Sequence, residues 1–241
     1  MSYIWHTFFF DPVYNLLVFF IDIFPHGDVG LAIIAAVVVV KIILFPLSIK
    51  AIKTQRIMKE IDPKLREIKE KYKDDREAQA RAMMEVYREA GMNPLASIVV
   101  MFIQIPFIIA LYLAIVRGGG VVLPEINTDI LYTFVKVPTE VSMLFLGNMD
   151  VAARSLPLAL LAGITQYFAT KASLPAMAPR KEGETPTFKE DFARNMQLQM
   201  RYVLPVIIFI VAYSFSATIA LYLFVSNLVI LAQEVIVRKH R

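Results

Sequence analysis

The sequence predicts an all-α, polytopic membrane protein. Five transmembrane helices surround a hydrophilic groove, with a cytosolic helical hairpin and an N-terminal amphipathic helix. Three observations carry this expectation. The 241 residues are 57% hydrophobic with a mean hydropathy of +0.58, too apolar for a domain whose surface faces water. Apolar runs of membrane length recur along the chain. The basic residues crowd into alternate segments between those runs, as membrane topology requires. The chain reads as a single membrane domain over 1–241.

The first element, 1–28, is expected to be an external amphipathic helix. Asp11 can cap a helix that begins at Pro12, with Val13, Leu16, Leu17, Phe20 and Phe24 on one face. A helix from Pro12 to Phe24 is only about 20 Å long, which favours an interfacial position over a span. No Lys or Arg precedes Lys41, so the pattern of a cleaved signal peptide is missing. Pro25-His26-Gly27-Asp28 forms a turn into the first span, 30–49. That span has one charge, Lys41, about 16 Å from its start and so near the middle of the hydrocarbon. A central Lys costs roughly 2.5–3.5 kcal/mol on insertion scales. Such a residue either snorkels to the interface or lines a polar cavity that something binds to or passes through. The second reading is adopted here.

Further spans are expected at 95–116 and 156–174, and the charge-free stretch 202–233 is too long for one crossing. It divides into spans 201–216 and 218–237 by turning near Ser214 to Thr218, although no Gly or Pro marks a turn there. Charge placement supports this division. Segment 50–94 holds twelve Lys and Arg, 171–201 holds six and the tail Arg238 to Arg241 three, while 117–155 holds three. Twenty-one against three puts the N-terminus outside and the C-terminus in the cytosol. The expected location is the plasma (inner) membrane, multi-pass.

Segment 50–94 is expected to be a cytosolic helical hairpin. Met58, Ile61, Leu65, Ile68 and Tyr72 recur with helical spacing. Pro63 should break or kink that helix unless a new one starts there with Asp62 as its cap. Asp74 with Glu77 resembles a capping box for a second helix carrying Ala82, Met83, Val86, Tyr87 and Ala90 and ending at Gly91. The segment has twelve basic and nine acidic residues. It serves either as a spacer or as a docking surface for an acidic or hydrophobic partner.

Several chemistries are excluded or unsupported. There is no cysteine, so there is no disulfide, thiol nucleophile or Cys-based metal site. His6, His26 and His240 are far apart and read as surface residues. No Gly-x-x-x-x-Gly-Lys pattern marks a nucleotide site. Neither a catalytic residue nor a cofactor or metal is expected, and the chain is not read as an enzyme. Other polar residues do fall at membrane depth: Gln104, Thr165, Gln166, Ser226 and Asn227. Each alone is ordinary interhelical glue. With Lys41 they make a candidate groove.

At these residues the chain resembles the YidC/Oxa-type membrane protein insertases over nearly its whole length. Lys41 to Leu47 is similar to that family's first core span, with a membrane-embedded basic residue followed by Pro46-Leu47. Asn93-Pro94-Leu95, Gln104-Ile105-Pro106 with Leu111-Tyr112, and Leu221-Tyr222 with Ser226-Asn227 follow in the family's order. The resemblance implies a five-helix core whose groove opens to the cytosol and to lipid and is closed to the outside. Lys41 stands at the groove's basic position, and Tyr222 joins its wall.

It also implies insertion of nascent membrane proteins into the lipid bilayer. The ribosome, the signal recognition pathway and the Sec translocon are further candidate partners, and no direct sequence-specific nucleic-acid binding is expected. The chain departs from the pattern in having Lys for the usual Arg and Ser216-Ala217-Thr218 for a Pro-Ser-Gly turn. It also has only a short basic tail, and it lacks the large external domain of some members. The alternative from the residues alone is a small-solute or anion transporter with Lys41 as its binding site.

Overall fold

The computed structural model describes residues 3–91, 96–117, 120–174 and 194–239. Asn93-Pro94-Leu95, most of segment 171–201, His240 and Arg241 lie outside the described residues. Within them the protein is an all-α membrane bundle with one small β-hairpin, the sole exception to the expected fold class among these residues.

Helix α1 (Tyr3–Ile23) is longer than expected, because it does not start at Pro12. A wide π turn at His6–Phe10, closed by Asp11 N–H onto the His6 carbonyl, lets the helix pass through a residue that has no N–H. Asp11 therefore does not cap. Its carboxylate meets His6 Nδ1 at 2.9 Å instead. The buried face is Phe10, Val13, Tyr14, Leu17, Val18 and Ile21, rotated from the expected one so that Asn15 is buried too. Asn15 explains the rotation. Its amide nitrogen donates to the carbonyls of Asp11 and Ile130, both at 2.8 Å, and its oxygen accepts from Tyr132 N–H at 2.6 Å. The Tyr14 hydroxyl accepts from Asn127 N–H at 2.8 Å.

Helix α2 (Val29–Ile43) is N-capped by Asp28, one oxygen accepting from Leu31 N–H at 3.0 Å and the other from Leu146 N–H at 2.8 Å. It does not run straight to residue 49 as expected. The helix stops after Ile43, and the following stretch Phe45–Thr54 departs by 61°. Pro46 is the cause: it cannot donate to the Ile42 carbonyl, and its ring clashes there. Helix α3 (Phe45–Lys71) then continues without a break through Pro63, and Asp62 pairs with Arg66 at 2.9 Å instead of capping. Helix α4 (Arg76–Glu89) is capped by Asp75, not Asp74: its carboxylate accepts from Glu77 and Ala78 N–H. The chain leaves α4 at Gly91 as expected. Leu65 and Val86 are the buried centre of the α3–α4 seam; Met58, Ile61, Ile68, Tyr72, Met83 and Tyr87 are half-buried.

Helix α5 (Ala96–Val116) leads into the loop 120–155, which carries strands β1 (Leu144–Phe145) and β2 (Met149–Asp150), paired antiparallel. The loop is stitched to the bundle. Val29 N–H donates to the Ser142 carbonyl at 3.0 Å and Ser142 N–H to the Gly27 carbonyl at 2.9 Å. The Phe145 ring lies against Gly30, where a Cβ would fall 2.3 Å from a ring carbon. Helix α6 (Leu156–Ser173) starts at the Ser155 cap. Helix α7 (Arg194–Ser214) contains a second π turn at Gln199–Val203, closed just before Pro205 in the same way as the turn before Pro12. Helix α8 (Ala217–Lys239) follows after a two-residue break.

The break at Phe215-Ser216 divides the 202–233 stretch where the sequence analysis placed a turn. Phe215 is extended, at φ −103° and ψ −169°. The freed N–H groups of α8 are taken up by the loop: Ala217 donates to the Ala153 carbonyl at 2.6 Å and Thr218 to the Val151 carbonyl at 3.0 Å. Helix α7 returns antiparallel to α6, with Tyr167 facing Tyr202 at one end and Gly163 facing Phe209 nearer the other. Its far side, including Val206, Ile207 and Ile210, is exposed.

Among the described residues three helices are by themselves long and apolar enough to cross a membrane: α1, α7 and the Ala217–Val237 part of α8. The bent pair of α2 with Phe45–Thr54 makes a fourth if it counts as one span. Helix α6 has 18 residues but carries Thr165, Gln166, Thr170 and Lys171, and it is not in that set.

Two stability predictions follow from this packing. Asn15→Leu strands the Ile130 carbonyl and the Tyr132 N–H, and thermal unfolding in nanodiscs should register a loss of about 1–3 kcal/mol. Gly163→Leu, whose Cβ would lie 3.0 Å from Phe209 Cβ, should push α7 off α6. A loss of about 1–3 kcal/mol is expected, with α7 more readily cleaved by protease.

Candidate functional site

Lys41 sits in the last turn of α2, three residues before the bend. Its side chain is 7% exposed, while its neighbours Ile42 and Ile43 are 63% and 66% exposed. The ammonium group is thus turned into the bundle, and the apolar residues beside it face out. Lys41 Nζ donates to Gln104 Oε1 of α5 at 2.8 Å. Gln104 Nε2 in turn donates to the Tyr222 hydroxyl of α8, and that hydroxyl also bonds the Ser226 side chain one turn further on. One chain of hydrogen bonds, Lys41–Gln104–Tyr222–Ser226, therefore runs through three helices.

Its direction is fixed by chemistry. A Lys ammonium can only donate, so the Gln104 amide must present oxygen to it and nitrogen to Tyr222. The tyrosine oxygen accepts from that nitrogen. Tyr222 and Ser226 are almost fully buried, and the Phe107 ring packs against the Tyr222 ring at 6.2 Å between centroids.

Thr165 and Asn227 form a separate link between α6 and α8. Thr165 Oγ1 donates to the Leu161 carbonyl at 2.7 Å. Asn227 Nδ2 donates to the Ala162 carbonyl at 3.3 Å and reaches Thr165 Oγ1 at 3.5 Å. Ser226 and Asn227 are adjacent on α8 and so point to different neighbours. Gln166 joins neither set: its amide donates to Thr170 Oγ1 on its own helix at 3.0 Å. Of the seven residues singled out in the sequence, four lie on the Lys41 chain, two on the neighbouring link and one apart.

The residues described include no group of three or more His, Cys, Asp or Glu placed to hold a metal ion. His26 is exposed, with its ring 3.7 Å from the Glu140 carboxylate.

The family described as 60Kd inner membrane protein matches residues 20–241. A relative from Oceanobacillus iheyensis, named Membrane protein insertase YidC, is 33% identical over 98% of this chain and 84% of its own length. The chain belongs to this family. Other YidC proteins, from Pelobacter propionicus and Syntrophobacter fumaroxidans, are each 30% identical, and the chain spans only 35% and 39% of their lengths. The YidC/Oxa-type resemblance seen in the motifs is thus a family relationship, and the chain is a multi-pass membrane protein.

The YidC motifs did not reveal every buried polar group. Thr54, Thr170, Gln233 and Glu234 are also nearly inaccessible. A signal for two of them was present. Gln233 and Glu234 fall seven residues after Ser226 and Asn227, two turns along the same faces of α8. The charge at Glu234 ends the apolar run in the middle of that repeat.

The bond chain makes its own prediction. Tyr222→Phe leaves the Gln104 amide free to turn its nitrogen toward Lys41, and a loss of about 1–3 kcal/mol in thermal unfolding is expected. Ser226→Ala, at the end of the chain, should cost less in the same assay.

Proposed function

We propose that this chain is a membrane protein insertase and chaperone. It moves hydrophobic segments of nascent proteins from the cytosol into the bilayer through a polar groove centred on Lys41. Gln104, Thr165, Gln166, Tyr222, Ser226 and Asn227 line the groove. The observation that carries this reading is the inward-turned ammonium held by an amide oxygen inside an apolar bundle. The YidC name of the relatives supports it.

Five spans at 30–49, 95–116, 156–174, 201–216 and 218–237 surround the groove, and hairpin 50–94 stands in the cytosol. The N-terminus is outside and the C-terminus inside, as the basic residues are distributed. Helix α1 lies at the outer interface although it is long enough to cross. Its central residues Tyr14 and Asn15 bond to the backbone of 127–132, and such a polar loop belongs in water rather than hydrocarbon. The same loop, stitched to α1, α2 and α8, closes the outer side.

In operation, a polar or acidic leading residue of the guest exchanges with Gln104 as the partner of Lys41. Its desolvation is thereby divided into smaller steps. The apolar segment leaves sideways into lipid, driven by burial at ~25 cal/mol per Å². Nascent membrane proteins are the partners this requires; the ribosome, signal recognition pathway and Sec translocon are the candidate suppliers. No observation favours the small-solute transporter.

The decisive experiment is site-specific crosslinking from position 41 to a nascent membrane protein on a stalled ribosome. Adducts are expected with the guest's leading segment; their absence, with adducts forming from the outer loop instead, would overturn the proposal. Lys41→Arg should retain insertion. Lys41→Glu should lose guests with acidic leading segments while still inserting neutral ones. Lys41→Met removes a buried charge but leaves the Gln104 side-chain oxygen without its donor, so thermal unfolding is expected to shift by no more than about 1–3 kcal/mol. Its insertion activity should nevertheless fall. Removal of 59–89 should slow delivery of guests and leave the bundle folded, as read by protease protection.

A further inference from the structure

Apart from the Lys41 chain, the tip of the α3–α4 hairpin has a distinct feature. Along the shank three basic residues are paired: Lys64 with Glu89 at 2.8 Å, Arg66 with Asp62 at 2.9 Å, and Arg81 with Glu77. Lys64 donates to the Glu89 carboxylate, and that hydrogen bond raises the pKa of Lys64. At the tip the arrangement changes. Lys69, Lys73 and Arg76 surround a cleft of about 420 Å³ whose other walls are Gln79, Ala80 and Met83. Among the described residues none of these three cations is in an ion pair. Lys71, between them in sequence, is turned away over the Tyr72 ring, 5.3 Å from its centroid.

The cleft has its own support. Gln79 Nε2 donates to the Lys69 carbonyl at 3.1 Å and contacts the Tyr72 carbonyl at 3.5 Å. Those are carbonyls at the end of α3, so this amide holds the two helices together across the turn. Asp75 caps α4 beside it. The three cations are therefore not needed to close the turn.

We propose that this cleft binds an acidic peptide segment that also carries an apolar side chain. The rim supplies three cations for carboxylates. The floor supplies the methyl of Ala80 and the flexible thioether of Met83, which adapts to varied apolar guests. A long polyanion fits less well, because the hairpin segment holds nine acidic residues among its twelve basic ones and offers no continuous positive track. The inference goes beyond the insertase reading and does not rest on it, since it is measured by binding alone.

The test uses the full chain in nanodiscs of neutral lipid and a fluorescent peptide of Glu and Leu, read by anisotropy. Binding is expected at low salt and should weaken as salt rises. The same peptide with Gln for Glu should not bind. Lys69→Gln, Lys73→Gln and Arg76→Gln should each weaken binding about two- to fivefold, the range for exposed charges. Arg66→Gln on the shank should leave it unchanged. Met83→Gln should weaken the Glu-Leu peptide more than a peptide of Glu alone. Circular dichroism of each variant should match the parent. Full affinity in the triple Lys69, Lys73, Arg76 variant would overturn the proposal, as would equal binding of the Gln peptide. Tighter binding of an RNA oligonucleotide or an anionic vesicle, lost in the same triple variant, would also overturn it and assign the cleft to phosphodiesters.

Discussion

A single hydrogen bond, from Lys41 Nζ to the Gln104 side-chain oxygen, decides what kind of interior this bundle has. An ammonium group surrounded by hydrocarbon must find an acceptor or reach the interface, and here it finds a neutral one. A carboxylate partner would lock the charge in place. An amide satisfies one donor of three and leaves the positive charge uncancelled. The helix contacts follow from that choice. Gln104 must lie on the inner face of α5, and Tyr222 must lie where it can orient the amide. Ser226 then falls one turn on, which fixes the rotation of α8.

The two ends of the bundle are built differently. On the side of the loop 120–155, side chains of α1 and backbone groups at the starts of α2 and α8 bond the loop into one irregular layer. Phe145 against Gly30 and Thr218 against Val151 leave little freedom there. Toward the hairpin, by contrast, α2 gives way to a bend and α3 extends well past the bundle. The long apolar face of α7 has only α6 behind most of it.

Much of this was legible in the sequence. Lys41, Gln104 and Ser226 stood out because polar residues in apolar runs need partners, and they did find one another. The division of 202–233 could be reasoned from charge balance alone. What could not be read were features decided by distant backbone. The turn at Phe215 has no Gly or Pro because loop carbonyls at Val151 and Ala153 take up the freed N–H groups. The apolar face expected for α1 leaves out Asn15 because helical periodicity knows nothing of Ile130 and Tyr132. The cap at Asp75 in place of Asp74 is a shift of one residue, which pattern reading does not resolve. Pro12 reads as a helix start, yet a π turn ahead of it, like the one ahead of Pro205, lets the helix continue.

The 61° bend after Ile43 has a mechanical corollary. Helix α3 is 27 residues long, a rod of about 40 Å that changes direction at Leu44. Swinging such a rod by about 10° displaces its far end by roughly 7 Å. The pivot lies less than one helical turn from Lys41. The outermost part of the molecule and its innermost charge are thus joined by one continuous helix and a single bend.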